Sequence, residues 1–519
     1  MSNLNQPDDR TGLPARIWRS IFRGPILPRD DRDRRRILFN TLILHFRPAR
    51  VREETIRYTH TWGLGGSSLI LFLILITTGV LLMFVYEPSP GGAYDSVASL
   101  QSNVFFGKLI RNIHHWSANF LIAFLVLHLL RVYLTGAYYP PRQFNWVIGL
   151  SLLGCVLLSN FTGYLLPWDQ LSYWATTIVT GMIGYIPLAG GWFQGLIRGG
   201  PEIGGKTLVN FYAAHTTVIP VVIIVLMGFH FWRVRKARGV VVPRPPEDTV
   251  RARSDAAVTP GTAAAARLDQ SSAARADDTG AVPRGDGGRF ERQGNHSEVT
   301  GPGDNGEGKP EYVMTLPHLI LREFSVGLAL VAAVMVVALV FNADLGGRAN
   351  PGMSPNPAKA PWYFVGFQEL VLLFDPLFAG LIIPALAAVG LLLIPYFKYG
   401  RDTSGVFMMS HEGRRLALIA ALIAVVATPL YVVLDEFWID FPGWLPGMPP
   451  VVANGVLPAV ILFGALAALY AWFRRREHVM NNEAVQAMFV LLAVGFAVLT
   501  VIGVWFRGPG MALVWPWNL

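Results

Sequence analysis

Nine stretches of this chain stay apolar long enough to cross a bilayer: about 68–86, 114–135, 146–166, 209–232, 322–342, 377–397, 416–434, 455–473 and 486–506. A helix needs roughly 20 apolar residues to span the hydrocarbon core, where each backbone N–H and C=O must find its partner within the segment. That constraint leaves one fold class, an all-α polytopic membrane protein of about nine transmembrane helices. A hydrophobic fraction of 52%, a charged fraction of 15% and a mean hydropathy of +0.41 agree, since soluble domains carry about 25% charged residues.

The formal charge of +9 at first suggests an acidic partner, but its distribution describes topology. Basic clusters fill Arg29 to Arg36, Arg47 to Arg52, Arg131 to Arg142, Arg233 to Arg238, Lys398 to Arg415 and Arg474 to Arg476, at alternate ends of successive spans. The opposite ends carry Gly, Pro, Trp and acids such as Asp435, Glu436 and Asp440. The positive-inside rule then puts the N-terminus in the cytoplasm and, after nine crossings, the C-terminus outside, with no role for nucleic acid. The start of the chain lacks the short apolar core of a signal peptide, so none is expected. The single cysteine, Cys155, lies in the third span and reads as packing; no disulfide, iron–sulfur cluster or thioether haem site can come from this chain alone.

Four parts follow: a cytoplasmic arm (1–50) whose residues 14–48 suggest a surface helix, a four-span bundle (51–238), a linker (239–311) and a five-span part (312–519). The linker is rich in Ala, Gly, Arg, Asp, Ser and Pro and almost empty of large apolar residues after Val250, which reads as disorder.

The first bundle contains two pairs of histidines inside apolar helices. His114 and His128 are 14 positions apart, and His215 and His230 are 15 apart. At 100° per residue these spacings return to nearly one face, offset by about 40° and 60°, with ~21–22 Å between levels. Facing helices of this kind offer two stacked His–His pairs, each able to hold a haem with no open iron position. Pairing His115 with His128 instead would miss the common face by about 140°, so helix phase selects His114. Arg111, one turn before His114, and Arg131, three residues after His128, are candidate partners for haem propionates, though both also suit ordinary span boundaries. Gly65, Gly66 and Gly79 in the first span and Gly149 and Gly163 in the third are candidate close-approach positions beside the macrocycles.

Several motifs resemble cytochrome b of the quinol:cytochrome c or plastocyanin oxidoreductases. They are Arg111-Asn-Ile-His-His-Trp-Ser-Ala-Asn119, His128-Leu-Leu-Arg-Val-Tyr-Leu-Thr-Gly136, Phe161-Thr-Gly-Tyr-Leu-Leu-Pro-Trp-Asp-Gln170, Ile178-Val-Thr-Gly181 and Phe211-Tyr-Ala-Ala-His215. The similarity covers 50–240, and the 15-residue step between His215 and His230 resembles the photosynthetic bf branch. Residues 312–400 resemble that complex's separate fourth subunit, here fused. Spans eight and nine, ending in Phe506-Arg-Gly-Pro-Gly510, exceed it and resemble bacterial menaquinol versions of the family. The resemblance implies a bacterial cytoplasmic membrane and a dihaem subunit with two b-type haems (outer His114/His215, inner His128/His230). It further implies quinol oxidation with electron bifurcation at the outer face, menaquinone as the quinone, and proton translocation. Implied partners are a separate Rieske iron–sulfur protein, a c-type cytochrome or other high-potential acceptor, and a second copy in a dimer within a larger complex.

Departures from the pattern matter. Gly63 stands where bf proteins carry the cysteine of an extra haem, so no covalent third haem is implied. The family's outer Pro-Glu-Trp-Tyr motif appears as Ala360-Pro361-Trp362-Tyr363, without its glutamate. Glu369, six residues beyond Tyr363, is the nearest carboxylate in the following segment and is the candidate substitute; a structural carboxylate is the competing reading. On the inner side, Glu323 aligns with an acidic residue used in quinone protonation, at a helix start where it also suits the dipole. Two other functions compete: a two-haem anchor passing electrons between quinone and a peripheral dehydrogenase or hydrogenase, and a transporter with incidental histidines.

Overall fold

In the computed structural model, residues 12–21, 50–237, 239–244, 312–397, 399, 401–476 and 479–518 are described. Among them, nine helices are long and apolar enough to cross a membrane: Leu64–Met83, Gly107–Leu134, Gln143–Tyr164, Gly205–Lys236, Pro317–Val340, Phe378–Tyr396, His411–Phe437, Val452–Arg474 and Asn481–Trp505. Each overlaps an expected stretch, and several begin earlier because helices extend into the polar interface, where the apolar signal is already gone. At most 28% of the residues in any span's apolar window are buried within the chain.

Among the described residues four spans carry a π turn; the fifth opens on one, Thr315–Leu319, and in three others the turn sits just before a proline: Ala214–Val218 before Pro220, Phe378–Ile382 before Pro384, and Val452–Val456 before Pro458. Proline has no N–H for the carbonyl four residues back and its ring crowds that carbonyl. Inserting one residue in a wide turn lets the helix continue past it.

The first five spans share one apolar core, with Leu71 and Phe72, Leu121 and Ile122, Val156, Ile219 and Ile223, and Val334. The fused second part therefore packs directly on the histidine bundle. The last three spans close on small residues, with Ala420, Ala424, Ala484 and Ala487 buried beside Leu416, Phe473 and Leu491. Small side chains allow close helix approach where apolar burial from lipid supplies little driving force.

The chain divides into two units, Met1–Arg244 with Val313–Leu519, and Pro245–Tyr312. The expected linker falls mainly in the second, outside the described residues. Its first six residues do not behave as linker: Arg244 donates from its backbone N to Gly405 O (2.8 Å) and from Nε to Ser404 O (2.7 Å). Of the expected surface helix, Leu13–Ile21 is helical and residues 22–49 lie outside the described set. Its end is tied down by Arg233, which donates to the carbonyls of Ser20 and Ile21.

Candidate functional site

His114 and His215 face each other, with ring centroids 6.2 Å apart. Imidazole nitrogens about 2 Å from a shared metal would place the ring centres about 6 Å apart. Hydrogen bonds also fix the tautomers. The Thr78 hydroxyl gives its hydrogen to Ile74 O (2.7 Å), so at 2.9 Å it accepts from His114 Nδ1–H. His215 Nδ1 lies 2.9 Å from Ser159 O, a carbonyl that can only accept. In both rings Nε2 is then the unprotonated nitrogen, as a metal ligand requires.

Four glycines of the first and third spans meet these rings. A Cβ at Gly79 would lie 3.3 Å from His114 Cε1, at Gly65 3.5 Å from His128 Cε1, at Gly149 3.5 Å from His230 Cε1, and at Gly163 only 2.4 Å from His215 Cε1. Gly66 has open space around it. The glycines thus seat the imidazoles on the neighbouring backbone, a role finer than the expected clearance for a macrocycle. At the second level, His128 lies within electrostatic range of His230, whose buried ring meets the backbone of Asn145. His115 points outward beside Trp116, with ring centroids 5.3 Å apart.

The sequence offset of 60° in the second pair has a local cause that spacing alone missed. His215 sits in the π turn Ala214–Val218, so one of the 15 positions is an inserted residue. The remaining 14 match the step of the first pair. Pro220 is the signal that could have revealed it.

Arg111 donates to Ala343 O (2.6 Å) and Asp344 O (2.7 Å), and Trp116 Nε1 to Phe341 O (2.9 Å). Asn112 donates to Ala338 O (2.9 Å) and accepts from Ala343 N (2.9 Å). One motif beside His114 therefore meets carbonyls at and just beyond the C-terminal end of the fifth span. Both terminal nitrogens of Arg111, the expected propionate partner, are engaged there. Arg131 instead reaches His60, with Nε 3.1 Å from the carbonyl and Nη2 3.1 Å from Nε2. His60 was missed because a lone histidine in a polar turn carries no periodic signal.

The loops that follow Tyr164 and Val340 assemble beside the His114/His215 level. Asp169 caps its helix through Ser172 N (2.9 Å) and accepts from Gly346 N (3.1 Å), while Gln170 accepts from Asn350 N (2.6 Å). Pro361 precedes the helix Trp362–Leu373, whose Trp362 Nε1 donates to Asn119 Oδ1 (2.7 Å). Tyr363 packs on the core of the histidine bundle, and burial pushes its phenol up to about 12. Glu369 does not share that face. Six helical residues rotate it about 120° from Tyr363, onto Arg507 of the segment after the last span. Both its oxygens are bound there, at 2.9–3.2 Å, and both side chains are essentially inaccessible (0% and 2% exposed). Arg507 also donates to Glu436 (2.7 Å) and Met511 O (2.9 Å). Burial pushes the Glu369 carboxyl above its usual range against the pull of Arg507. Glu323 lies in the first turn of the fifth span, next to Arg322, which donates to Ile56 O (2.6 Å). At Gly63 the backbone is left-handed (φ 63°), so a cysteine there would be strained.

Residues 52–238 match the family model "Cytochrome b/b6/petB". A cytochrome b6 of Prochlorococcus marinus (strain MIT 9303) is 44% identical over 173 residues, which are 33% of this chain and 79% of the relative. A cytochrome b6 of Emiliania huxleyi is 45% identical over 173 residues, 33% of this chain and 80% of the relative. A solved structure titled "Hyperthermophilic respiratory Complex III" aligns with a TM-score of 0.54 over 92% of this chain and 98% of its own, at 20% identity, a likeness of fold. These relatives correct one expectation. They are b6 proteins, so the bacterial menaquinol-type assignment falls, and with it menaquinone as the quinone. That expectation rested on the last two spans, which lie outside the matched stretch.

Proposed function

The chain belongs to the cytochrome b/b6 family, and from that premise we propose that it is the dihaem subunit of a multi-subunit quinol oxidoreductase. In this reading quinol is oxidised at the outer face with bifurcation. One electron passes to an external high-potential acceptor, and the other crosses the membrane to a quinone site on the inner side. Proton release outside and uptake inside couple the reaction to translocation. A Rieske protein, a c-type cytochrome or equivalent acceptor and a second copy of the chain complete the assembly, with the N-terminus cytoplasmic and the C-terminus outside.

Bound haem supplies one-electron transfer, and two imidazoles on one iron leave no position for oxygen or substrate chemistry. His114 with His215 and His128 with His230 would hold the two groups, while Gly79, Gly163, Gly65 and Gly149 keep the rings in place. Pro361, Trp362 and Tyr363 form the wall of the outer quinol site, set by the Trp362–Asn119 bond and by the loop laid on Asp169 and Gln170. Glu369 serves that wall from behind, anchoring its helix through Arg507 rather than facing the quinol. Arg131 and Glu323 belong to the inner site.

The observation that carries the reading is the outer pair, two rings 6.2 Å apart with both Nδ1–H groups already committed. The deciding experiment is oxidant-induced reduction of haem b in the presence of quinol. Bifurcation produces it; a linear two-haem anchor gives oxidation only, and a transporter gives no haem spectrum.

A further inference from the structure

We propose that Thr78 sets the redox potential of the haem held by His114 and His215, as a positioning residue acting through the hydrogen bond it accepts from His114 Nδ1–H. This inference rests on the dihaem reading above.

Threonine and glycine stand side by side in the first span, and the fold turns both toward one imidazole. Gly79 admits the ring, since a Cβ there would lie 3.3 Å from His114 Cε1, and Thr78 Oγ1 lies 2.9 Å from its Nδ1. The hydroxyl has one hydrogen, which goes back to Ile74 O (2.7 Å), with Leu75 O farther off (3.3 Å). That bond to the preceding turn holds the β-branched side chain in one rotamer and leaves a lone pair for the ring nitrogen. Donating also polarises the oxygen and makes it a better acceptor. Thr77 makes the same bond, to Leu73 O (2.9 Å), but lies on an exposed side of the helix.

What this bond does to a bound iron follows from charge. An acceptor on Nδ1–H raises the basicity of Nε2. A more basic ligand favours ferric over ferrous iron and so lowers the potential. The other ring of the pair depends on Ser159 O at 2.9 Å, a main-chain acceptor that any residue type supplies. Thr78 serves through its side chain, so here a single substitution can remove the acceptor. An apolar groove runs beside it, lined by Ile74, Ile113, Val331, Val334 and Met335. Valine, close to threonine in shape, would put a methyl group among apolar neighbours and leave Nδ1–H without the hydroxyl. In the proposed path, a lower potential at this level makes electron transfer to the His128/His230 level downhill.

Outer-shell partners of metal ligands are worth about 10–100-fold in metal affinity. A tenfold preference for ferric iron corresponds to about 59 mV for a one-electron couple. The test is a spectroelectrochemical titration of the purified, haem-loaded protein as wild type, Thr78→Val, Thr78→Ser and Thr77→Val. Wild type should resolve two b-haem components. In Thr78→Val one should rise by about 59 mV while the other stays, with low-spin spectra unchanged. Thr78→Ser should keep the wild-type value, and Thr77→Val should move neither component. An unmoved or lowered potential in Thr78→Val overturns the proposal, as does an equal rise in Thr78→Ser or Thr77→Val. If Thr78→Val loses that haem, Thr78→Cys decides, because a thiol is a weaker acceptor of similar size. A smaller rise supports the proposal, and an unmoved potential or a lost haem overturns it. A wild type with fewer than two b haems removes the dihaem reading and this inference together, whereas two haems indifferent to Thr78→Val remove the inference alone.

Discussion

Alanine substitutions at the four ring-seating glycines should separate by distance. At Gly163 a new methyl group would sit 2.4 Å from His215 Cε1 and 2.8 Å from its Nδ1. Ordinary carbon contacts fall at about 3.5–4.0 Å, so the overlap exceeds ~1 Å. The imidazole cannot retreat without leaving the Ser159 carbonyl or closing the gap to His114, so the strain is not relieved cheaply. Overpacking of this kind costs about 1–3 kcal/mol, which is about 5- to 150-fold in retention of the outer haem. At Gly65 and Gly149 the methyl group would meet its histidine at 3.5 Å, an ordinary contact. There the usual helix gain of about 0.5–1 kcal/mol for Gly→Ala should make the change neutral or mildly stabilising. Gly79, at 3.3 Å, should fall between. Haem-to-protein ratios of the purified variants, with redox-resolved spectra to tell the outer haem from the inner, read the series. A Gly163→Ala protein that keeps two haems with an unchanged outer potential would refute this account of the glycines, as would a Gly65→Ala protein equally damaged.

Removing Arg507 with Arg507→Met strands Glu369 as a buried charge, and about 3–5 kcal/mol of stability should be lost in thermal melts. The pair-preserving Arg507→Lys should recover part of it. Because Glu369 faces Arg507 and not Tyr363, Glu369→Gln should lower stability yet leave the pH profile of quinol oxidation in place; a shifted profile would restore it as proton carrier. Tyr363 has its folded value raised to about 12. Its contribution to stability is complete below about pH 10 and lost as pH rises toward 12, at about 1.4 kcal/mol for each pH unit between those limits. Tyrosinate absorbance, taken as wild type minus Tyr363→Phe, should be missing at pH 10–11. Gly63→Cys should cost about 1–2 kcal/mol from its left-handed backbone and capture no covalent haem by mass spectrometry.

The number and placement of the spans were legible from the sequence because a bilayer imposes one long, local requirement on each helix. Helix phase likewise separated His114 from His115, since both angle and rise are local properties. Other features depend on residues far apart in the chain. Which carbonyls Arg111 meets depends on where the fifth span ends, 232 positions later. Glu369 looked like a substitute proton acceptor by proximity along the chain, but the terminal segment supplies Arg507 on another face of its helix, 138 positions away. His60 gained partners only because Val241, 181 positions on, returns to it. The sequence by itself determined a nine-span membrane protein with two histidine levels. Only the tertiary structure decided which polar groups meet at those levels, because buried donors and acceptors are satisfied by whatever the packing of distant segments brings within about 3 Å.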